Sequence, residues 1–284
     1  MLKDITLGQY YQTDSVLHRM DPRTKLIGIM VFVISLFIFR NALAFAVVAV
    51  FLFLAMWLSK VPFSYMVRGM KGIMFLLMVT VIFNLFLTPG IPLVQFWKLQ
   101  ITDEGLRNAI FTAIRLIFLI LGGSLLTLTT TPNNLTDGLE SLMKPLKLFR
   151  IPVHEVAMMM SIALRFIPIL LEETDKIMKA QMARGADFEH GGIIARAKSM
   201  IPILVPLFVS AFRRANDLAM AMEARCYRGG DGRTKMKPLK YNSRDILAFL
   251  TMAVYIAAVI VLGSLGESLR FFNIMQSLSG RVPS

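Results

Sequence analysis

Long apolar runs constrain this chain more than any other feature. Ala42 to Ser59 contains no charged side chain, and Lys25–Phe39, Met70–Leu87, Leu106–Thr130 and Asp245–Leu265 carry at most two each. A run of about 20 apolar residues matches the hydrocarbon core of a bilayer, where backbone polar groups must be satisfied within the segment, so each is expected to be a transmembrane helix. Composition agrees: 56% of the 284 residues are hydrophobic, 17% are charged, and mean hydropathy is +0.63. A transmembrane β-barrel would show short alternating segments instead. The expected fold class is an all-α integral membrane protein with about five transmembrane helices.

The connections fit that frame. Met1 to Met20 carries Asp4, Asp14, His18 and Arg19 and lacks the apolar core of a cleaved signal, so it is expected to stay in the mature chain. Asp21-Pro22 reads as a helix start, Asp21 as N-cap and Pro22 at the first helical position. Arg40-Asn41 is a tight polar turn between the first two spans, and Lys60, Arg68 and Lys71 mark the next loop. Ile91 to Gly105 is turn-rich, with Trp97 as an interfacial anchor.

The net charge of +13 and pI of about 10.1 need a location. Lys and Arg gather at the N-terminus, between Lys60 and Lys71, and after Thr130. Because cytoplasmic loops collect positive charge, the N-terminus and the middle region are expected inside and the C-terminus outside, with Arg270 and Arg281 running against that last assignment. No basic patch is interleaved with aromatics in the manner of a nucleic-acid surface, so no nucleic-acid partner is expected. A lone cysteine, Cys226, leaves no internal disulfide or multi-Cys metal site, and His18, His154 and His190 lack ligand spacing. Neither a metal nor a cofactor is expected.

Residues 131–243 differ in character from the spans before (1–130) and after (244–284). Leu135, Leu139, Leu142 and Leu146 form an apolar stripe beside Asp137, Glu140, Lys144 and Lys147, which predicts an amphipathic helix Leu135–Lys147 at the membrane surface or against another helix. Pro152 to Arg184 reads as a helix, apolar at first and charged after Leu171, so its later half belongs in water or on protein. Ile201 to Arg225 reads as a third.

The last two run alike, each from an Ile-Pro-Ile-Leu to an Ala-Arg pair. The two lengths differ by about two helical turns, so both arginines keep nearly the same face relative to their starting prolines. Exposed arginines at helix ends suit docking on a soluble partner. The macrodipole alone also favours a cation there, and Gly185 is an ordinary residue to end a helix. Met178 and Met182 on one helix, and Ala211, Ala215, Leu218 and Met222 on the other, offer a flexible, close-packing surface, or plain helix-on-helix core.

Arg115 lies deep in the fourth span. It is either a structural charge that snorkels or meets a neighbouring carbonyl, or part of a functional path. Gly122-Gly123 beside it permits close helix approach or a bend.

Four segments in this order resemble the transmembrane T component of energy-coupling factor (ECF) transporters: Asp21-Pro22-Arg23-Thr24-Lys25-Leu26, Leu125 to Pro132, Ala163 to Pro168, and Ala180 to Gly185. The similarity runs from about Asp21 to Arg228. It implies an L-shaped fold in a bacterial or archaeal cell membrane, spans plus about three cytosolic coupling helices, and a non-catalytic subunit of an ATP-driven vitamin or micronutrient importer. Implied partners are two ABC-type ATPase subunits, a small membrane-embedded substrate-binding S component, and lipid. The family's two short docking motifs map to Ala183-Arg184-Gly185 and Ala224-Arg225-Cys226, the second with Cys226 where many relatives have Gly or Ser. Arg165, in Ala163-Leu164-Arg165-Phe166, would brace its helix internally or at lipid headgroups.

Two rival readings want features the chain lacks. A secondary transporter or channel would line its bundle with facing polar groups, and only Arg115 and Asn84 offer any. An enzyme would want intramembrane His, Asp or Glu; no phosphate loop of the form GxxxxGK[ST] occurs either, so ATP hydrolysis is expected in partner subunits.

Overall fold

Helices dominate the computed structural model, which describes residues 10–38, 41–70, 72–90, 92–96, 99–188, 192–230, 236 and 238–279. The chain divides into two compact units, one comprising Gly8–Gly138 with Leu239–Ser284 and the other Leu139–Pro238.

The first unit opens with α1 (Pro22–Ile38). Asp21 Oδ1 accepts the backbone N–H of Arg23 at 2.9 Å, the N-cap bond expected of that sequence. Helix α2 (Ala42–Ser59) coincides with its apolar run and stops at Lys60 in the left-handed region, φ 55°. The third run does not form one helix. Instead α3 (Phe63–Arg68) is followed by turns, and α4 starts at Met74 and ends at Leu87. Gly69 and Gly72 weaken helix across the break, and Met70 and Ile73 close turns onto Val67 and Met70 instead. At 14 residues, α4 spans only about 21 Å. Lys71 and Trp97 lie outside the described residues.

The turn-rich segment holds a two-stranded antiparallel hairpin, β1 (Pro92–Phe96) and β2 (Leu99–Thr102), in the register Val94↔Ile101, Gln95↔Gln100 and Phe96↔Leu99. It is a small addition to an otherwise helical fold. Thr102 then caps α5 (Asp103–Thr129) by accepting from Gly105 N at 3.0 Å, with Asp103 and Glu104 in the first turn where the macrodipole favours them. That cap starts α5 about one turn before Leu106. Helix α6 (Pro132–Met143) follows, and α9 (Ser243–Ser279) closes the chain.

A single core joins α1, α2, α5 and α9 through Phe32, Leu36, Val48, Leu52, Leu121 and Val259, each at most 5% exposed. Gly122 is what lets α1 approach α5: a Cβ there would stand 2.6 Å from the Phe32 ring, whereas Gly123 faces open space. Arg115 is placed over two rings, 5.1 Å from the Phe37 centroid and 5.8 Å from Phe45. Aromatic faces stabilise a desolvated guanidinium.

A polar clasp ties α1 to α9 and α5. Asp245, 1% exposed, accepts from Asp21 N at 2.9 Å with one oxygen and from Asn242 N at 2.8 Å with the other. Arg23 donates to Leu239 O at 3.1 Å and stacks over Tyr241, and Lys25 Nζ donates to Thr129 O at 2.9 Å. These backbone groups, buried at Asp21 and part-buried at the others, lie outside helical ladders and find side-chain partners here. The segment Asp21 to Lys25 is thus where three helix ends are joined.

Four helices are long and apolar enough to cross a membrane: Ala42–Ser59, Asp103–Thr129, Val153–Ala183 and Ser243–Leu265. The third lies in the second unit, where the sequence alone suggested a helix turning to water halfway along.

Candidate functional site

The second unit is built on a pair of long helices, α7 (Val153–Ala183) and α8 (Ile193–Ala224). Helix α8 begins two turns before Ile201, the residue at which the sequence pattern suggested a start, and runs through Pro202 and Pro206. Proline lacks an N–H, so Pro206 leaves the carbonyl of Pro202 without its helical donor. The Gln181 side-chain amide takes that place, donating to Pro202 O at 3.4 Å. Further along, Glu173 accepts Ser210 Oγ at 2.5 Å and Arg214 Nη2 at 2.7 Å. Contacts that descend α7 ascend α8, so the helices run antiparallel.

Both helices end in the same way. Arg184 follows α7 with φ −88° and ψ 5°, and Arg225 follows α8 with φ −92° and ψ 13°. The next residue is left-handed in each case, Gly185 at φ 89° and Cys226 at φ 55°. Gly185 N donates to Met182 O and Ala186 N to Gln181 O, both at 3.0 Å. Cys226 N donates to Glu223 O at 2.8 Å and Tyr227 N to Met222 O at 3.0 Å. These are the paired bonds of a Schellman cap, made once with glycine and once without it. Cys226 therefore terminates α8 as fully as Gly185 terminates α7.

Ala183, Arg184, Gly185, Ala224, Arg225 and Cys226 are all exposed. Among the described residues, no carboxylate lies within ion-pair reach of Arg184 or Arg225. The antiparallel arrangement puts the two ends at opposite extremes of the pair. Arg225 lies about 35 Å along α8 from Pro202, the level at which Gln181 meets it. Chemically, each end offers a planar cationic fork on a rigid, fully hydrogen-bonded stem, suited to bidentate contact with a carboxylate.

The remaining predicted positions divide. Met178, Ala211, Leu218 and Met222 are half-buried, while Met182, Ala215 and Arg165 are exposed. On α8, Ala211, Leu218 and Met222 share a face with Ser210 and Arg214, the residues that engage Glu173. The Glu173 clamp escaped the sequence reading because Glu172 to Lys179 looks like an ordinary solvated face. Its one signal is Ser210 and Arg214 at helical spacing opposite a run of acids. Among the described residues no group of three or more His, Cys, Asp or Glu stands close enough to hold a metal.

Outside this unit, Arg115 lies over the Phe37 and Phe45 rings and the Asn84 side chain donates to Thr80 O at 2.8 Å.

A family profile described as cobalt transport protein, CbiQ, matches residues 13–236, a stretch that includes both helix ends. The chain is 52% identical over 263 residues to the energy-coupling factor transporter transmembrane protein EcfT of Clostridium kluyveri, covering 92% of this chain and 97% of that one. It is 53% identical to the protein of that name from Thermosediminibacter oceani, covering 88% and 94% respectively. With the Bacillus subtilis EcfT the identity is 46%, over 92% of this chain and 99% of the relative. By the extent of these matches and by its apolar helices, the chain belongs to the family of energy-coupling factor transporter transmembrane proteins, membrane components of ECF transporters.

Proposed function

We propose that this chain transmits motion from two ABC-type ATPase subunits to a small membrane-embedded substrate-binding S component, with Arg184 and Arg225 as the ATPase-docking residues. Residues 131–243 and the N-terminus face the cytoplasm in this reading, and ATP is hydrolysed by the partners. The importer served is one for a vitamin or micronutrient, whose identity belongs to the S component.

The observation that carries the reading is the duplicated helix end. An exposed arginine at the same cap position, on the same hydrogen-bonded stem, occurs on both members of one antiparallel pair. Dipole stabilisation alone accounts for a basic residue near a helix end. It does not require arginine at the identical position twice, nor a left-handed cysteine to keep it there. When ATP draws the two ATPases together, each would pull on one end of the α7–α8 pair. Glu173, Ser210 and Arg214 bind the helices near the middle, so the pair would pivot there rather than separate. The half-buried Ala211, Leu218, Met222 and Met178 supply a bed that can repack as it does, with Met182 and Ala215 at its open edge.

Affinity purification of the tagged chain from native membranes in mild detergent tests this directly. The wild type is expected to bring down two ABC-type ATPases and at least one small membrane protein. Arg184→Ala combined with Arg225→Ala is expected to lose the ATPases while still inserting in the membrane, and lysine replacements to restore them only in part. ATPases retained by the double variant would refute the docking assignment.

A further inference from the structure

The turn joining α6 to α7 exposes more apolar surface than a water-facing loop of its size accounts for. Leu148 is 87% and Phe149 77% exposed, beside Ile151 at 36%. Lys144, Lys147 and Arg150 are exposed around them, and no acidic residue lies between Met143 and Pro152.

The backbone organises these side chains. Pro145 cannot continue the hydrogen-bond ladder of α6, and Lys144–Phe149 forms a 3-10 helix instead. At three residues per turn, positions three apart eclipse, which stacks Lys144 over Lys147 on one edge and Leu146 over Phe149 on another. Arg150, left-handed at φ 61°, closes the turn by donating its N–H to Lys147 O at 3.0 Å, and Val153 N returns to Ile151 O at 2.9 Å. The tip is therefore pre-shaped, and little ordering is lost when something covers it.

What covers it is indicated by its neighbours. Helix α7, which starts at Val153, is largely apolar through its first half and exposes Met159 and Met160 there. The apolar tip thus continues into an apolar helix surface in a chain that resides in a membrane. Three cations with no carboxylate in ion-pair reach among the described residues call for anions at the same site. A dry protein groove would have to bury those charges, whereas a lipid headgroup layer offers phosphates beside acyl chains.

We propose that Lys144–Ile151 is a membrane-anchoring tip, with Leu148 and Phe149 entering the headgroup–acyl boundary of an anionic bilayer and Lys144, Lys147 and Arg150 holding lipid phosphates. The proposal stands independently of the docking role of Arg184 and Arg225.

The test places a fluorescent reporter at the tip. Phe149→Trp, in a full-length chain carrying Trp57→Phe and Trp97→Phe, is reconstituted in nanodiscs of phosphatidylcholine alone or mixed with phosphatidylglycerol, with acyl chains brominated near the headgroup. Emission is expected to be blue-shifted and quenched in the anionic discs. Quenching should fall by about twofold or more in neutral discs, and again on Lys144→Gln, Lys147→Gln and Arg150→Gln together. Water-like, unquenched emission in both lipids would overturn the proposal. So would blue-shifted but unquenched emission in the assembled transporter, which would mean that a protein covers the tip. Comparing the two lipids within the parent chain keeps the test decisive even where the triple variant fails to fold.

Discussion

At Cys226 the backbone sits at φ 55°, a region that costs an L-residue roughly 1–2 kcal/mol and glycine almost nothing. Cys226→Gly is accordingly expected to stabilise the chain by about 0.5–1 kcal/mol, read as a higher midpoint of thermal unfolding in detergent. Gly185→Ala should do the reverse by about 1 kcal/mol, since Gly185 holds φ 89°. Equal melting temperatures for either pair would contradict the matched caps. Sequence reasoning located both arginines but gave no sign that Cys226 would close its helix, because cysteine carries no signature of a left-handed backbone. The opposite lesson comes from Asp21, whose capping role was legible from Asp-Pro alone. His18 offers a test by pH. Its ring meets Ser15 Oγ at 2.7 Å and Tyr11 O at 2.9 Å. Burial lowers its pKa below the usual 6.5, against the upward pull of the Tyr11 carbonyl. The folded chain thus prefers the neutral ring, and the stability this brings is complete above pH 6.5 and declines as pH falls below it, where the unfolded chain takes up the proton first. The gap in melting temperature between wild type and His18→Gln should narrow from pH 7.5 to about 5.5; a constant gap would show that His18 does not couple to protons.

At the scale of elements, proline decided which expectations held. Ala42–Ser59 was legible to the residue because an unbroken apolar run between polar turns has one helical solution in lipid. Pro145 stopped α6 at Met143, four residues short of Lys147, whereas Pro202 and Pro206 were carried inside α8. Identical chemistry gave opposite outcomes because Gln181 satisfies the carbonyl that Pro206 frees, a tertiary contact no local pattern announces. The hairpin at Pro92–Thr102 was missed for a related reason: strands of four and five residues are too short for alternation to stand out. Two element-level links can be measured. Removing Glu173 leaves Arg214, 40% exposed at its side chain, still able to reach water, so Glu173→Ala should lower the melting temperature only slightly. A double-mutant cycle of Glu173→Ala with Arg214→Ala is expected to give a small favourable coupling, and zero coupling would show that the clamp does not join the helices. Asp245 is different because it is buried and both its oxygens accept backbone N–H groups. Asp245→Asn places an NH2 against one of those donors and should cost about 2 kcal/mol or more despite its near-identical shape; a neutral Asn variant would show that the α1–α9 clasp contributes little.

For the whole molecule, composition and the length of the apolar runs fixed a helical membrane protein, and the family match places it among the membrane components of ECF transporters. The two compact units divide the chemistry. Gly8–Gly138 with Leu239–Ser284 holds the apolar core and the α1–α9 clasp, while Leu139–Pro238 holds the arginine-capped pair and the exposed tip. In the proposed function Arg184 and Arg225 are two handles for two ATPases. Two weak attachments on one rigid support act together through effective concentration, so losing one should weaken association far less than losing both. The most direct measurement is a binding titration of the ATPase pair against the full-length chain in nanodiscs, for wild type, Arg184→Ala, Arg225→Ala and the double variant. Two docking arginines should give a loss of about tenfold or more for each single change and no measurable binding for the double. An unchanged affinity in the double variant, with the chain still folded in the disc, would contradict that role.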